Sequence, residues 1–228
     1  MNNYFRSVTF GLLFSALLFL GACEEETSPP VSYLALGDSY TIGESVAQDQ
    51  RWPVLLADSL RSRNIAVAKP DIIAQTGWTT ADLQEAIERE NPHSNYDLVS
   101  LLIGVNNQYQ GLDFNQFERE FKELLNQAIS FAGNNPQNVF AVSIPNYGVT
   151  PFGQEKNPDS VAKELSRYNK TARQIAQNNG ITFINITPIS EDALDNPELT
   201  ANDNLHPSGK MYRQWVSKML PAILSKLQ

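Results

Sequence analysis

Five short apolar runs, each followed by a stretch with helical periodicity, constrain this chain more than any other feature. The runs fall at residues 31–36, 66–74, 98–103, 139–144 and 181–186. Strands that alternate with helices join through crossovers, so they pair in parallel and are covered by helices on both faces. A strand buried on both sides has to be apolar almost throughout, and Leu98-Val99-Ser100-Leu101-Leu102-Ile103 meets that requirement. The helical pattern is clearest where Phe114, Phe117, Phe121, Leu124, Leu125, Ala128 and Ile129 share one face, with Asp113 and Gln116 spaced for a capping box. Val161, Leu165, Tyr168, Ala172, Ile175 and Ala176 repeat it behind Asn157-Pro158. Ser208 is placed to cap a last helix carrying Met211, Trp215, Met219 and Leu220. The pattern predicts an α/β fold with a parallel five-stranded sheet, as a single domain over residues 31–228.

The N-terminal part reads as an export signal. Arg6 supplies a positive start, and residues 10–20 form an apolar run too short to span a bilayer comfortably. The run ends in Leu20-Gly21-Ala22-Cys23, which resembles a bacterial lipoprotein signal cleaved before Cys23. Residues 1–22 are then a lipoprotein signal peptide, Cys23 the lipidation site, and residues 23–30, acidic and then Pro-rich, a tether. Glu24-Glu25-Glu26 reads as solvated linker or as an address for the cell surface. Cys23 is the only cysteine, so no disulfide can close within the chain and the domain relies on its apolar core. The net charge of −8, without a basic stripe, argues against nucleic acid as a partner. The expected location is the cell envelope, with the membrane reached through the lipid anchor.

The chemistry-bearing residues cluster after the expected strands. In a parallel sheet, sites form at the carboxyl ends of the strands. Ser39, Gly77, the turn at 104–107 and Asn146 all follow apolar runs, so they should share one rim. Ser39, in Gly37-Asp38-Ser39, presents a hydroxyl there, although Asp-Ser between strand and helix also serves as an ordinary cap. Position 41 is Thr, so the Gly-x-Ser-x-Gly elbow is absent. Gly77 offers a backbone N–H without a shielding side chain, or simply a turn. Asn106 offers a neutral amide suited to an oxyanion, or a tight-turn contact. His206 stands three residues after Asp203, a spacing that lets one turn aim a carboxylate at an imidazole. The other histidine, His93, reads as a surface residue. Two distant histidines and no clustered carboxylates do not make a metal-ligand set, and no cofactor is implied.

Taken together, Gly37-Asp38-Ser39-Tyr40, the segment around Gly77, Gly104-Val105-Asn106-Asn107 and Asp203-Asn204-Leu205-His206 resemble the four ordered blocks of the SGNH (GDSL-type) hydrolase superfamily. The resemblance implies a flavodoxin-like three-layer α/β/α sandwich. It implies Ser39 as nucleophile, His206 as base and Asp203 as the carboxylate that orients it. The oxyanion hole would combine the N–H groups of Ser39 and Gly77 with the Asn106 amide. Two positions depart from the family: Asn107 stands where Asp is usual, and Tyr40 where Leu is common. Asn107 implies altered local hydrogen bonding.

The activity implied is hydrolysis of acyl or acetyl esters of glycans or lipids through an acyl-enzyme. Trp52, Trp78 and Tyr109 neighbour the motifs and either stack on a sugar or pack internally. Two other readings share the fold. One is a surface binding protein that has lost catalysis, with Asn107 its only support. The other is a flavin or nucleotide binder, disfavoured because Asp38 stands where a phosphate-cradling loop would be.

Overall fold

The computed structural model describes Met1 and residues 29–227. The rest of the signal segment, Cys23 and most of the tether lie outside the described residues. In chain order the elements are β1 (Tyr33–Gly37), α1 (Ser39–Ile42), α2 (Trp52–Arg61), β2 (Asp71–Ala74), α3 (Thr80–Glu90), β3 (Leu98–Leu102), α4 (Val105–Tyr109) and α5 (Phe114–Phe131). They continue with β4 (Val139–Val142), α6 (Pro151–Gln154), α7 (Pro158–Asn178), β5 (Thr182–Ile184), α8 (Thr187–Glu191) and α9 (Gly209–Leu224).

The sheet runs β2-β1-β3-β4-β5, with every neighbouring pair parallel. The three inner strands are buried along their whole length, whereas β2 and β5 are partly exposed. That difference explains why the inner strands are continuous apolar runs. Even the polar Ser100 is satisfied inside, its Oγ 2.9 Å from the Tyr33 hydroxyl. From β1 the chain passes outward to β2 and then returns to β3 on the other side of β1. This reversal is a topological switch point, where a crevice opens at the carboxyl ends of the strands.

The helices form two layers. On one side α2 packs on α9; on the other α3, α5 and α7 pack in a row. Trp52, Leu56 and Leu60 of α2 and Trp215 and Met219 of α9 are all fully buried. Phe117 and Phe121 of α5 are buried to the same degree on the opposite face. Aromatic side chains in such positions each contribute about 3–5 kcal/mol by truncation. The chain has the flavodoxin-like α/β/α architecture that the resemblance implies.

Some expectations shift. The run at 66–74 pairs as a strand only from Asp71, immediately after Pro70, which has no N–H for a ladder. Val67 makes only an isolated bridge with Val31. Asp113 does cap α5, by accepting the Asn115 N–H at 3.0 Å, but no box closes there. Gln116 turns instead to Glu120 one helical turn on, 2.7 Å away. The reciprocal box is on α3, between Thr79 and Asp82. Trp52 is a core residue with no exposure, its ring edge-on to Phe140, so it offers nothing to a sugar.

Candidate active site

β1 ends at Gly37, where nothing larger fits: a Cβ there would clash with Thr41 Oγ1 and lie 2.5 Å from the Leu102 carbonyl. The strand turns at once into α1, and Asp38 caps it by accepting the Tyr40 N–H at 3.0 Å. Ser39 is the first residue of α1, so its own N–H has no acceptor within the helix. Its carbonyl accepts the N–H groups of Gly43 and Glu44, both at 3.0 Å, and so fixes the turn that follows.

Gly77 follows β2 with φ +87°, and nothing lies within 4 Å of where its Cβ would be. Its backbone is thus open to a ligand, in a conformation that side chains rarely adopt. Asn106 stands in the first turn of α4, after β3. Its Nδ2 donates to the Trp78 carbonyl at 2.8 Å, which ties the amide to the Gly77 loop. An amide carries two N–H groups, so one remains for another acceptor.

Asp203 and His206 occupy the loop before α9. Asp203 Oδ1 accepts the backbone N–H groups of Leu205 at 3.0 Å and His206 at 2.9 Å. Its Oδ2 lies 2.6 Å from His206 Nδ1. A carboxylate only accepts, so the imidazole proton sits on Nδ1 and the Nε2 lone pair is free to act as a base. Partial burial opposes ionisation of Asp203. Hydrogen bonds from Ser45, from the His206 ring and from the backbone outweigh it and bring the carboxyl down to about 2. Tyr40 sets its ring edge-on to the imidazole at 5.7 Å between centroids, backed by Trp215.

Ser39, Gly77, Asn106 and His206 line one cavity of about 160 Å³. Tyr109, Tyr147, Phe152 and Leu205 are among its other wall residues, and the walls are mainly apolar. Ser39 Oγ and His206 Nε2 make no direct hydrogen bond among the described residues; such contacts often tighten only when substrate binds. A larger cleft of about 410 Å³, beside α7 and α8, contains Lys170 and Arg173 but neither histidine. Its size does not make it the site of acyl chemistry. No cluster of His, Cys, Asp and Glu able to hold a metal is found among the described residues.

Asn146 stands near the same rim, beside Tyr40 and Leu205, but its side chain does not face the Ser39 cavity. Asn146 is buried in turn geometry, its Oδ1 accepting the Gly148 N–H at 2.9 Å and its N–H donating to Ser190 Oγ at 2.8 Å. Its neighbour Tyr147 faces the cavity instead. Trp78 is half-buried against the core, and only Tyr109 of the three flagged rings lines the cavity. His93 is exposed and stacks on Tyr96. Sequence reasoning missed Ser45, which donates to Asp203 Oδ2 at 2.6 Å, and the wall residues Tyr147 and Phe152. Only their proximity in the fold marks them, since they lie in turns and a helix too short to show a periodicity.

Comparison with solved structures gives the same fold. Esterase EstA from Pseudoalteromonas sp. superposes with TM-score 0.61 at 19% identity, covering 86% of this chain and 98% of that one. The acetyl xylan esterase AlAXEase gives TM-score 0.65 at 20% identity, covering 85% and 100%. The acetylxylan esterase Axe2 from Geobacillus stearothermophilus gives 0.61 at 18%, covering 86% and 94%. No curated protein matches the chain. The profile of the GDSL-like lipase/acylhydrolase family, however, matches residues 35–214. The chain therefore belongs to the GDSL-like lipase/acylhydrolase family and is a carboxylic ester hydrolase.

Proposed function

We propose that the protein hydrolyses short-chain acyl esters, acetyl esters included, with Ser39, His206 and Asp203 as a catalytic triad. The observation that carries this reading is the single cavity shared by Ser39, Gly77, Asn106 and His206, with Asp203 2.6 Å behind the imidazole. Ser39 Oγ attacks the ester carbonyl as His206 Nε2 takes its proton. The carbonyl oxygen becomes an oxyanion held by the N–H groups of Ser39 and Gly77 and by the Asn106 amide. Asp203 stabilises the imidazolium without accepting its proton. The oxyanion collapses, the C–O bond to the alcohol breaks, and the alcohol leaves with the proton from His206. Water, deprotonated by His206, then attacks the acyl-enzyme and releases the acid, returning the proton to Ser39.

Cavity size supports a small acyl group. About 160 Å³ is well below the roughly 300–1,000 Å³ of sites that enclose drug-sized ligands. The alcohol, on a glycan or a lipid, then lies outside the enclosed part. An anchor at Cys23 would hold the enzyme at the cell envelope, where such esters occur.

A series of p-nitrophenyl esters from acetate to palmitate, offered to the form lacking residues 1–22, tests this. Turnover should be highest at the short end and disappear in Ser39→Ala, together with labelling by an organophosphonate ester. Labelling that survives in Ser39→Ala would place the nucleophile elsewhere. A soluble, folded protein with no turnover at any chain length would leave it a binding protein.

A further inference from the structure

Four donors converge on the carboxylate of Asp203. Three come from its own loop: the N–H groups of Leu205 and His206 and the His206 ring Nδ1. The fourth is the hydroxyl of Ser45, 158 residues away in sequence and 2.6 Å from Oδ2. Donors within a loop move with it and fix only its internal shape. Ser45 is different, because it ties the carboxylate to the segment that carries Ser39.

That segment is itself anchored. The Gly43 and Glu44 N–H groups both donate to the Ser39 carbonyl at 3.0 Å. The Glu44 carboxylate accepts the hydroxyl of Thr76, the residue before Gly77. One short turn thus touches the segments of the nucleophile, the oxyanion donor and the carboxylate. Ser45 adopts φ +64°, a left-handed conformation in which glycine costs less than serine. A turn alone would be satisfied by glycine, whereas the bond to Asp203 requires a hydroxyl.

Building on the triad assigned above, we propose that Ser45 is a positioning residue. It holds Asp203, and through it the His206 imidazole, in register with Ser39. Ser45 is exposed, so water can partly replace its hydroxyl, and the cost of losing it falls at the low end of what outer-shell partners contribute.

The test uses Ser45→Gly, Asp203→Ala and the double variant. On p-nitrophenyl acetate, Ser45→Gly should lower kcat by about tenfold at unchanged KM. Its urea midpoint should not fall, since glycine suits the turn. Added to Asp203→Ala, it should cause no further loss, because it acts through Asp203. An unchanged kcat, or an equal loss in the Asp203→Ala background, overturns the proposal. The low-field proton resonance of His206 Nδ1–H provides a readout that needs no turnover. If wild type hydrolyses no ester, the functional reading fails, and this resonance decides the role of Ser45. Displacement or broadening in Ser45→Gly then supports positioning, and an identical signal refutes it.

Discussion

Asn107 and Thr80 are joined by two hydrogen bonds: Asn107 Oδ1 accepts the Thr80 N–H at 3.0 Å, and its Nδ2 donates to the Thr80 hydroxyl at 2.7 Å. The hydroxyl in turn donates to the Glu120 carboxylate. This bridge clamps the start of α3, just after the Gly77 loop, to α4, which carries Asn106. Asn107 is fully buried and lines no part of the Ser39 cavity. Its amide is therefore matched to its partners, and the departure from the family's usual Asp gives no support to a loss of catalysis.

Restoring that Asp tests the point. In Asn107→Asp the Thr80 hydroxyl can no longer accept from position 107 while donating to Glu120, so two carboxylates compete for one proton. We expect a loss of about 1–3 kcal/mol in urea unfolding at pH 8, a smaller loss at pH 5 where a buried carboxyl takes up a proton, and turnover near that of the parent. Equal stability at both pH values would show that Asn107 was not filling the role given to it.

Much of this site is legible from sequence because strand ends of a parallel sheet meet on one rim. Ser39, Gly77 and Asn106 each follow a strand, and Asp203 reaches His206 within a single turn. What stays hidden depends on distance or on loops. The Ser45–Asp203 bond spans most of the domain and has no sequence periodicity. Asn146 is at the rim after β4, but its side chain closes a turn and the adjacent Tyr147 takes the cavity. Trp52 is indistinguishable in sequence from a rim aromatic, since one tryptophan beside a loop carries no sign of which way it faces. Pro70, by contrast, lies inside the apolar run at 66–74 and is the physical reason that β2 begins only at Asp71.

Asp203 links activity to acid stability. Its carboxyl falls from 3.8 to about 2 in the folded protein, so the folded state holds its proton less tightly than the unfolded chain. The stabilisation is complete above about pH 4 and is lost as the pH falls towards 2. Asp203→Asn should remove this acid-sensitive component from unfolding curves between pH 4 and 2. It should also lower kcat by up to about 10⁴-fold, because an amide no longer holds the proton on Nδ1. A variant with wild-type acid sensitivity would mean that Asp203 is not the group responsible.

Asp38 acts in the opposite sense. Burial pushes its carboxyl from 3.8 up to about 7, against the opposing effect of the backbone bonds at the α1 cap. The folded state thus binds this proton more tightly than the unfolded chain. Stability falls as the pH rises from about 4 to about 7 and levels off above that range. Asp38→Asn keeps an oxygen for the Tyr40 N–H and carries no charge, so its stability should be flatter across that interval in urea unfolding. The same slope in both proteins would show that Asp38 is not titrating there.

Acyl length should be set by the aromatic wall. Tyr109 packs on both Tyr147 and Phe152, with ring centroids 6.1 Å apart in each pair, and all three line the cavity. Phe152 is half-buried and belongs to α6, and its backbone N–H donates to the Asn204 carbonyl at 3.0 Å, a bond that substitution by alanine keeps. Removing the ring therefore enlarges the cavity while the Asp203–His206 loop stays tied. Each methylene newly accommodated is worth about 0.8 kcal/mol, or roughly fourfold in kcat/KM. Phe152→Ala should therefore move the preference for p-nitrophenyl esters from acetate towards butyrate and hexanoate, with kcat on acetate little altered. A uniform loss at every chain length would instead mean that Phe152 supports the loop rather than limits the acyl group.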